Sequence, residues 1–177
     1  MLRRIFFLMI CCCGLSLTPT LAQNAITPEP SPLDLVSVKL NDLYVKVVYS
    51  RPHMRGREIF GDLVPYQEVW RTGANEATEI TLTEDVMFAG KELAAGTYTI
   101  FTIPYEDHWT IIINRELGQW GSFKYDEEMN LFTVDVPVEQ TDVAYEPFTI
   151  TFDLNRESTD MNLIWDRTKV TIPIKPQ

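Results

Sequence analysis

The sequence predicts a single all-β domain, an antiparallel β-sandwich or jelly-roll-like fold after a cleaved signal peptide, with an open barrel as the alternative topology. Three observations carry that expectation. Apolar residues recur at every second position from Leu33 onward, turn-forming residues fall between the alternating runs, and no window of a dozen residues carries a helical stripe. Without helices to cross between parallel strands, short strands with brief connections pair antiparallel. With 177 residues, 45% hydrophobic and 11% aromatic, the chain has material for one well-filled core. Its 23% charged content is not that of a disordered segment.

Residues 1–22 stand apart from the folded body. Arg3 and Arg4 form a basic start, Ile5 to Leu17 is a nearly uninterrupted apolar run, and Thr18 to Ala22 ends in small residues before a cut after Ala22. This is the layout of a secretory signal peptide, so export to the periplasm or beyond the cell is expected. A spanning anchor needs about 20 apolar residues; the run is shorter and is followed by Pro19, so no membrane span is expected in the mature chain. Cys11, Cys12 and Cys13 all lie in the run, and a mature chain starting at Gln23 has no cysteine for a disulfide. A lipid-modified cysteine is the competing reading, against which stand the bulky Met9 and Ile10. Residues 23–32 carry Pro28, Pro30 and Pro32 and read as an extended tether, leaving 33–177 as the β domain.

Within the domain, Leu43, Val45, Val47 and Tyr49 alternate with Tyr44, Lys46, Val48 and Ser50, which makes a strand with one buried face. The pattern returns in Ile80-Leu82, Tyr98 to Ile103, Trp109 to Ile113, Phe132 to Val138, Phe148 to Leu154, Met161 to Trp165 and Val170 to Ile174. Turn chemistry separates them at Ala89-Gly90, Ala95-Gly96, Tyr105 to Asp107, Asn155 to Asp160 and Asp166-Arg167. Pro173 cannot donate to a ladder, so the last strand is expected at a sheet edge or to end soon after it.

One segment breaks the rhythm. Arg51 to Arg71 is a long connection holding Arg51, Arg55, Arg57 and Arg71 against Glu58, Asp62 and Glu68. Removing Arg3 and Arg4 from the 15 basic residues leaves 13 against 25 acidic, a mature net charge of −12, so this segment is a positive island on an acidic body. Polyanions are repelled by such a body, and no nucleic-acid partner is expected. The four cations are all arginine, whose planar fork suits carboxylate, phosphate or sulfate. Two readings stand side by side: a ligand site on a long loop, or an internal salt-bridge network with Glu58, Asp62, Glu68 and Glu76 that pins the loop to the sheet.

The island runs into Trp70-Arg71-Thr72-Gly73-Ala74-Asn75-Glu76. Gly73 and Asn75 predict a tight bend before the Ile80 strand, since Asn tolerates positive φ. The functional reading makes Trp70 an apolar platform flanked by Arg71, Asn75 and Glu76, an arrangement suited to a sugar or a small amphipathic ligand. Trp120, beside Gly121, offers a second platform or simple loop packing.

The run from Ser50 to Thr81, with AGTYTIFTIP, WTIIIN and QWG after it, resembles the exported bacterial family catalogued as domain of unknown function 2911. The resemblance extends from about Ser31 to the C-terminus and implies a secreted or periplasmic β-rich domain. It supplies no catalytic residues. The chain departs from the family's pattern at His53-Met54, where small or aliphatic residues are usual.

Counting narrows the chemistry. Without mature cysteine there is no thiol catalysis or Cys-ligated metal; the two histidines, His53 and His108, form no zinc pattern; and no G-x-S-x-G elbow or phosphate loop occurs. No cofactor or metal is expected. The first hypothesis is a noncatalytic module binding a small anionic or carbohydrate ligand through Arg51, Arg55, Arg57, Trp70, Arg71, Asn75 and Glu76. The alternatives are an envelope hydrolase of glycans or esters with a carboxylate base, for which Glu76, Asp135 and Asp153 are candidates, and a structural or interaction protein pairing through an edge strand.

Overall fold

The computed structural model describes residues 29–177, so the expected signal peptide, its three cysteines and residues 23–28 of the tether lie outside the described residues. Among the described residues the chain forms nine strands. They are β1 (Leu33–Leu40), β2 (Leu43–Ser50), β3 (Ala74–Leu82), β4 (Val86–Phe88), β5 (Lys91–Leu93), β6 (Gly96–Pro104), β7 (His108–Asn114), β8 (Asn130–Leu154) and β9 (Thr159–Pro176). One 3-10 turn, Glu127–Met129, precedes β8, with the Asp126 side chain accepting the Glu128 N–H at 2.9 Å. No helix is long and apolar enough to cross a membrane among the described residues.

The strands join in one antiparallel sheet of order β1-β2-β3-β6-β7-β8-β9-β4-β5, as the alternation predicts. The sheet folds over because β8 changes partner along its length. Its first part pairs with β7 as far as Pro137, opposite His108, and from Val138, opposite Val170, it pairs with β9. Pro137 has no N–H to give a ladder and stands at that exchange. The inward face of β2, with Leu43, Val45, Val47 and Tyr49, then meets Phe148, Ile150, Leu163 and Trp165 of β8 and β9 in one buried cluster. Ile80, Ile100, Trp109, Ile111 and Ile113 fill it from β3, β6 and β7. Each such side chain contributes about 1.5–3 kcal/mol relative to exposure. A smaller cluster of Ala77, Phe101 and Ile112 lies apart from it, with Tyr125 set edge-on to Phe101 at 5.1 Å between ring centroids.

Two expected breaks are not breaks. The runs Phe132 to Val138 and Phe148 to Leu154 belong to one strand, because Gln140, Tyr145 and Thr149 keep partners across two register shifts. Asp166-Arg167, expected as a turn, is an irregularity within β9, where Asp166 takes φ 51° opposite Tyr145. Pro173 lies three residues before the end of β9, where its carbonyl accepts the Ala89 N–H at 2.8 Å. The Ala89-Gly90 turn closes the short β4-β5 hairpin with both residues at positive φ, 45° and 80°, the conformation of a two-residue hairpin loop.

Tyr49 ties the two parts together. Its hydroxyl accepts the Ile150 N–H at 3.1 Å and donates to Asp34 at 3.3 Å. Burial pushes its phenol above the ordinary tyrosine range, with the Asp34 carboxylate adding to the effect. The folded state therefore holds this proton more tightly than the unfolded chain does, and the stabilisation is lost as pH rises above about 10. We predict that Tyr49→Phe costs about 1–3 kcal/mol at neutral pH, because the Ile150 N–H loses its acceptor. Denaturant unfolding at increasing pH should show the wild type losing more stability than the variant on the alkaline side.

Candidate functional site

Between Ser50 and Ala74 the chain leaves the sheet, and the backbone groups of this connection find partners on neighbouring elements. Met54 N–H donates to Glu146 O and Phe148 N–H to Pro52 O, which joins the start of the loop to β8 at 2.9 and 2.8 Å. At its other end Trp70 and Thr102 exchange both backbone bonds at 2.7 and 2.9 Å, joining the loop to β6. Ile59 and Val64 of the loop are buried aliphatic residues, part of the main core cluster. Phe60 lies 5.1 Å from Trp109 between ring centroids, and Trp70 is stacked at 5.9 Å and 18° on Trp165.

The four arginines have separate fates. Arg51 is a clasp: its Nε donates to Phe148 O at 3.1 Å, an Nη donates to Thr149 Oγ1 at 2.9 Å, and another lies 3.5 Å from Asp34. Arg55 is exposed; its guanidinium donates to Pro30 O at 2.6 Å, and its N–H donates to the Glu146 carboxylate at 2.9 Å. Arg57 donates to the carbonyls of Met54 and His53 at 2.9 and 2.7 Å, which spends part of its fork on its own loop. Arg71 has neither arrangement. Its Nε is buried with no partner, and none of the ion pairs among the described residues includes it. Desolvation lowers its pKa, although such a group stays charged throughout the physiological range. Glu58, Asp62, Glu68 and Glu76 form no ion pair with these arginines, so the expected network among them is not how the loop is held.

Arg71 and Arg57 line one cavity of about 180 Å³ together with Trp70, Trp165, Pro52, Val64, Leu63, Ser31, Gly73 and Ala74. No carboxylate lines it. Two tryptophans line it and its charged groups are both cationic, so its electrostatics favour an anion over a cation. The Trp70 ring is only 8% exposed, with its Nε1 donating to Gly73 O at 3.0 Å, so it forms a wall and not an open platform.

The backbone that aims Arg71 is strained. Thr72 is β-branched, fully buried and held at φ 57°, a conformation costing about 1–3 kcal/mol. Thr78 Oγ1 donates to its carbonyl at 2.6 Å, and its own hydroxyl donates to Thr102 Oγ1 at 3.1 Å. Gly73 is required by a close approach, since a Cβ there would sit 2.9 Å from Ser50 O. Asn75 takes the positive φ expected of the bend, at 56°, and its amide donates to Ser31 O at 3.2 Å and Ser50 Oγ at 3.4 Å.

Glu76 falls on a different hollow. It lines a cavity of about 250 Å³ with Leu33, Val48, Tyr49, Ser50, Ala77, Glu79 and Gly118, and shares no lining residue with the first. Of the residues expected to act together, the structure thus joins Arg57, Trp70 and Arg71, ties Arg51 and Arg55 elsewhere, sets Asn75 on Ser31 and Ser50, and turns Glu76 away. Ser31, Pro52, Leu63, Val64, Gly73, Ala74 and Trp165 line the first cavity without a place among the expected site residues, and the strain at Thr72 beside it was not expected either. The hydrolytic candidates Asp135 and Asp153 are exposed and accept from Thr110 Oγ1 at 2.6 Å and Asn162 Nδ2 at 2.8 Å respectively. They lie on the two differently paired parts of β8.

A family model described as Protein of unknown function (DUF2911) matches residues 31–174. The chain belongs to this family. The DUF2911 match begins at Ser31 on the rim of the first cavity and takes in the residues lining both hollows. No curated protein and no solved structure matches the chain.

The two arginine environments separate on substitution. Arg51→Met should lower stability by about 1–3 kcal/mol, since it takes the guanidinium donors from the Phe148 carbonyl and Thr149 Oγ1 and removes the ion pair with Asp34. Arg71→Met should leave stability unchanged or raise it, because it removes a half-buried charge that has no ion-pair partner and a buried Nε–H that has no acceptor. Gly73→Ala should destabilise by about 1–3 kcal/mol through the clash with Ser50 O. Chemical denaturation of the three variants measures all of these.

Proposed function

We propose that this protein is a noncatalytic binding module for a small anionic ligand, held in the cavity of Arg57 and Arg71. The observation that carries the reading is the Arg71 guanidinium, whose Nε is buried without a partner beside a hollow free of carboxylates. A half-buried guanidinium with an unpartnered Nε costs part of its desolvation on folding, and a carboxylate, phosphate or sulfate would offset it with charge-assisted hydrogen bonds of about 1.5–3 kcal/mol each. A volume of about 180 Å³ suits a small ligand and falls below the range of drug-sized sites. Trp165, Trp70 and Val64 give the hollow an apolar side, which fits an anion carrying a short apolar or aromatic group. Of the two ligand classes expected from the sequence, the anion is the better supported, because the Trp70 face is covered by Trp165 and is not open to a sugar ring.

We further propose that the protein acts outside the cytoplasm, on the strength of the basic and apolar layout of residues 1–22. Expression of the full chain in its host, followed by fractionation and N-terminal sequencing, should recover a mature form beginning at Gln23. Recovery of the intact chain from the cytoplasm would contradict this part of the reading.

Calorimetric titration with inorganic phosphate, sulfate, acetate and benzoate tests the site. At least one should bind and raise the melting temperature, with about 2.7 kcal/mol of added stability at a hundred times its dissociation constant. Arg71→Met should abolish the heat of binding while the protein stays folded, and Arg51→Met should retain binding at temperatures where it is folded. Unchanged binding by Arg71→Met would overturn the assignment.

A further inference from the structure

The second hollow has the opposite electrostatic character. We propose that it binds a small organic cation, an amine or quaternary ammonium with apolar substituents. This does not rest on the anion reading, since no residue is common to the two linings.

The hollow lies over β1, β2 and β3, where the register puts Leu35, Val48 and Glu79 in one row across the sheet. Val48 and Ala77 give it an apolar lining, and Leu33, 67% exposed, stands at its side. An apolar side chain left this open on the wall of a cavity of about 250 Å³ gains by covering against a ligand of similar character. The charged groups of the lining are the carboxylates of Glu76 and Glu79. Gly118 N–H donates to Glu79 Oε1 at 2.8 Å, and neither carboxylate has a Lys or Arg partner among the described residues. The surrounding body, with 25 acidic residues against 15 basic in the whole chain, adds a field of the same sign.

Trp120 supplies the third element. It bridges Glu76 in antiparallel fashion, with Ala77 N–H bonded to Gln119 O and Gly121 N–H to Asn75 O, both at 2.9 Å. Residues directly opposite in such a bridge project from the same face, so the indole, 62% exposed, stands beside the Glu76 carboxylate. Trp120 stands outside the lining itself, across from Glu76 at its edge; an aromatic face beside one of two carboxylates, next to an apolar hollow, is a combination that holds an alkylated ammonium through cation–π attraction and charge together. A neutral sugar requires donors as well; the lining carries no Arg, Lys, Asn or Gln side chain, and its Tyr49 hydroxyl and Gly118 N–H are already given to Asp34 and Glu79, which leaves the Ser50 hydroxyl.

The test compares choline with its neutral isostere 3,3-dimethylbutan-1-ol in calorimetric titrations of the wild-type protein. Choline should bind more tightly by about tenfold or more, and Glu79→Gln and Trp120→Leu should each weaken it by about tenfold. Glu79→Gln keeps an acceptor for Gly118 N–H, and Trp120 is exposed, so melting temperatures should stay near that of the wild type. The phosphate and benzoate titrations should be unaltered in both variants, which separates failure at one cavity from failure at the other. Absence of choline binding, equal affinity for the isostere, or choline binding indifferent to both substitutions would overturn the proposal.

Discussion

The stacking of Trp70 on Trp165 is the contact on which the site depends. It fastens a connection of more than twenty residues to the folded-over sheet, and the residues after Trp70 inherit their directions from it. Phe148 and Trp109 close on the same ring from the sides, at 5.1 and 5.8 Å between centroids. With Trp70 fixed in the core and bonded to Thr102, the chain must pass through the left-handed Thr72 and the crowded Gly73 to enter β3. Arg71, caught between a buried tryptophan and a strained threonine, therefore has its Nε in the interior with little freedom to seek a partner. The rigidity of the aromatic group is what would make such an arrangement affordable and a pre-organised anion site feasible.

Much of the architecture was legible because one face of most strands is buried, and a period of two records that directly. Leu43, Val45, Val47 and Tyr49 lie inward as their spacing implies. The pattern misled where burial changes along a strand. Residues 139–146 of β8 are polar or exposed, and read as a connection, although Gln140 and Tyr145 still pair with β9 at the place where the sheet folds over. Asp166 likewise has the chemistry of a turn and serves to bend β9. The three-residue strands β4 and β5 are too short to show alternation, and only their Ala89-Gly90 turn left a mark.

The site was legible as a segment and not as a geometry. The composition singled out the loop from Arg51 to Arg71 and the bend after Trp70, and the structure gathers Arg57, Trp70 and Arg71 there around one hollow. What the residue order did not convey is that backbone carbonyls, two within the loop and two on the segments it packs against, are there to be satisfied. Those of Pro30, His53, Met54 and Phe148 take the guanidinium bonds that nearby acids were expected to take. Nor could spacing show that Arg71 and Glu76 serve different hollows. Two left-handed residues, Thr72 and Asn75, intervene between them, and alternation carries no information about side-chain direction through such a bend.

The account stands on the Arg71 guanidinium keeping donors free for a ligand, and arginine side-chain NMR observes those donors directly. With ¹⁵N-labelled protein, the Nε–H resonance of Arg71, assigned by its disappearance in Arg71→Met, should be shielded from solvent exchange and should move on addition of phosphate or benzoate. The Nε–H of Arg51, held by Phe148, should stay in place. An Arg71 resonance that ignores every anion, or one whose shift reveals a bond to a carboxylate of the same chain, would contradict it.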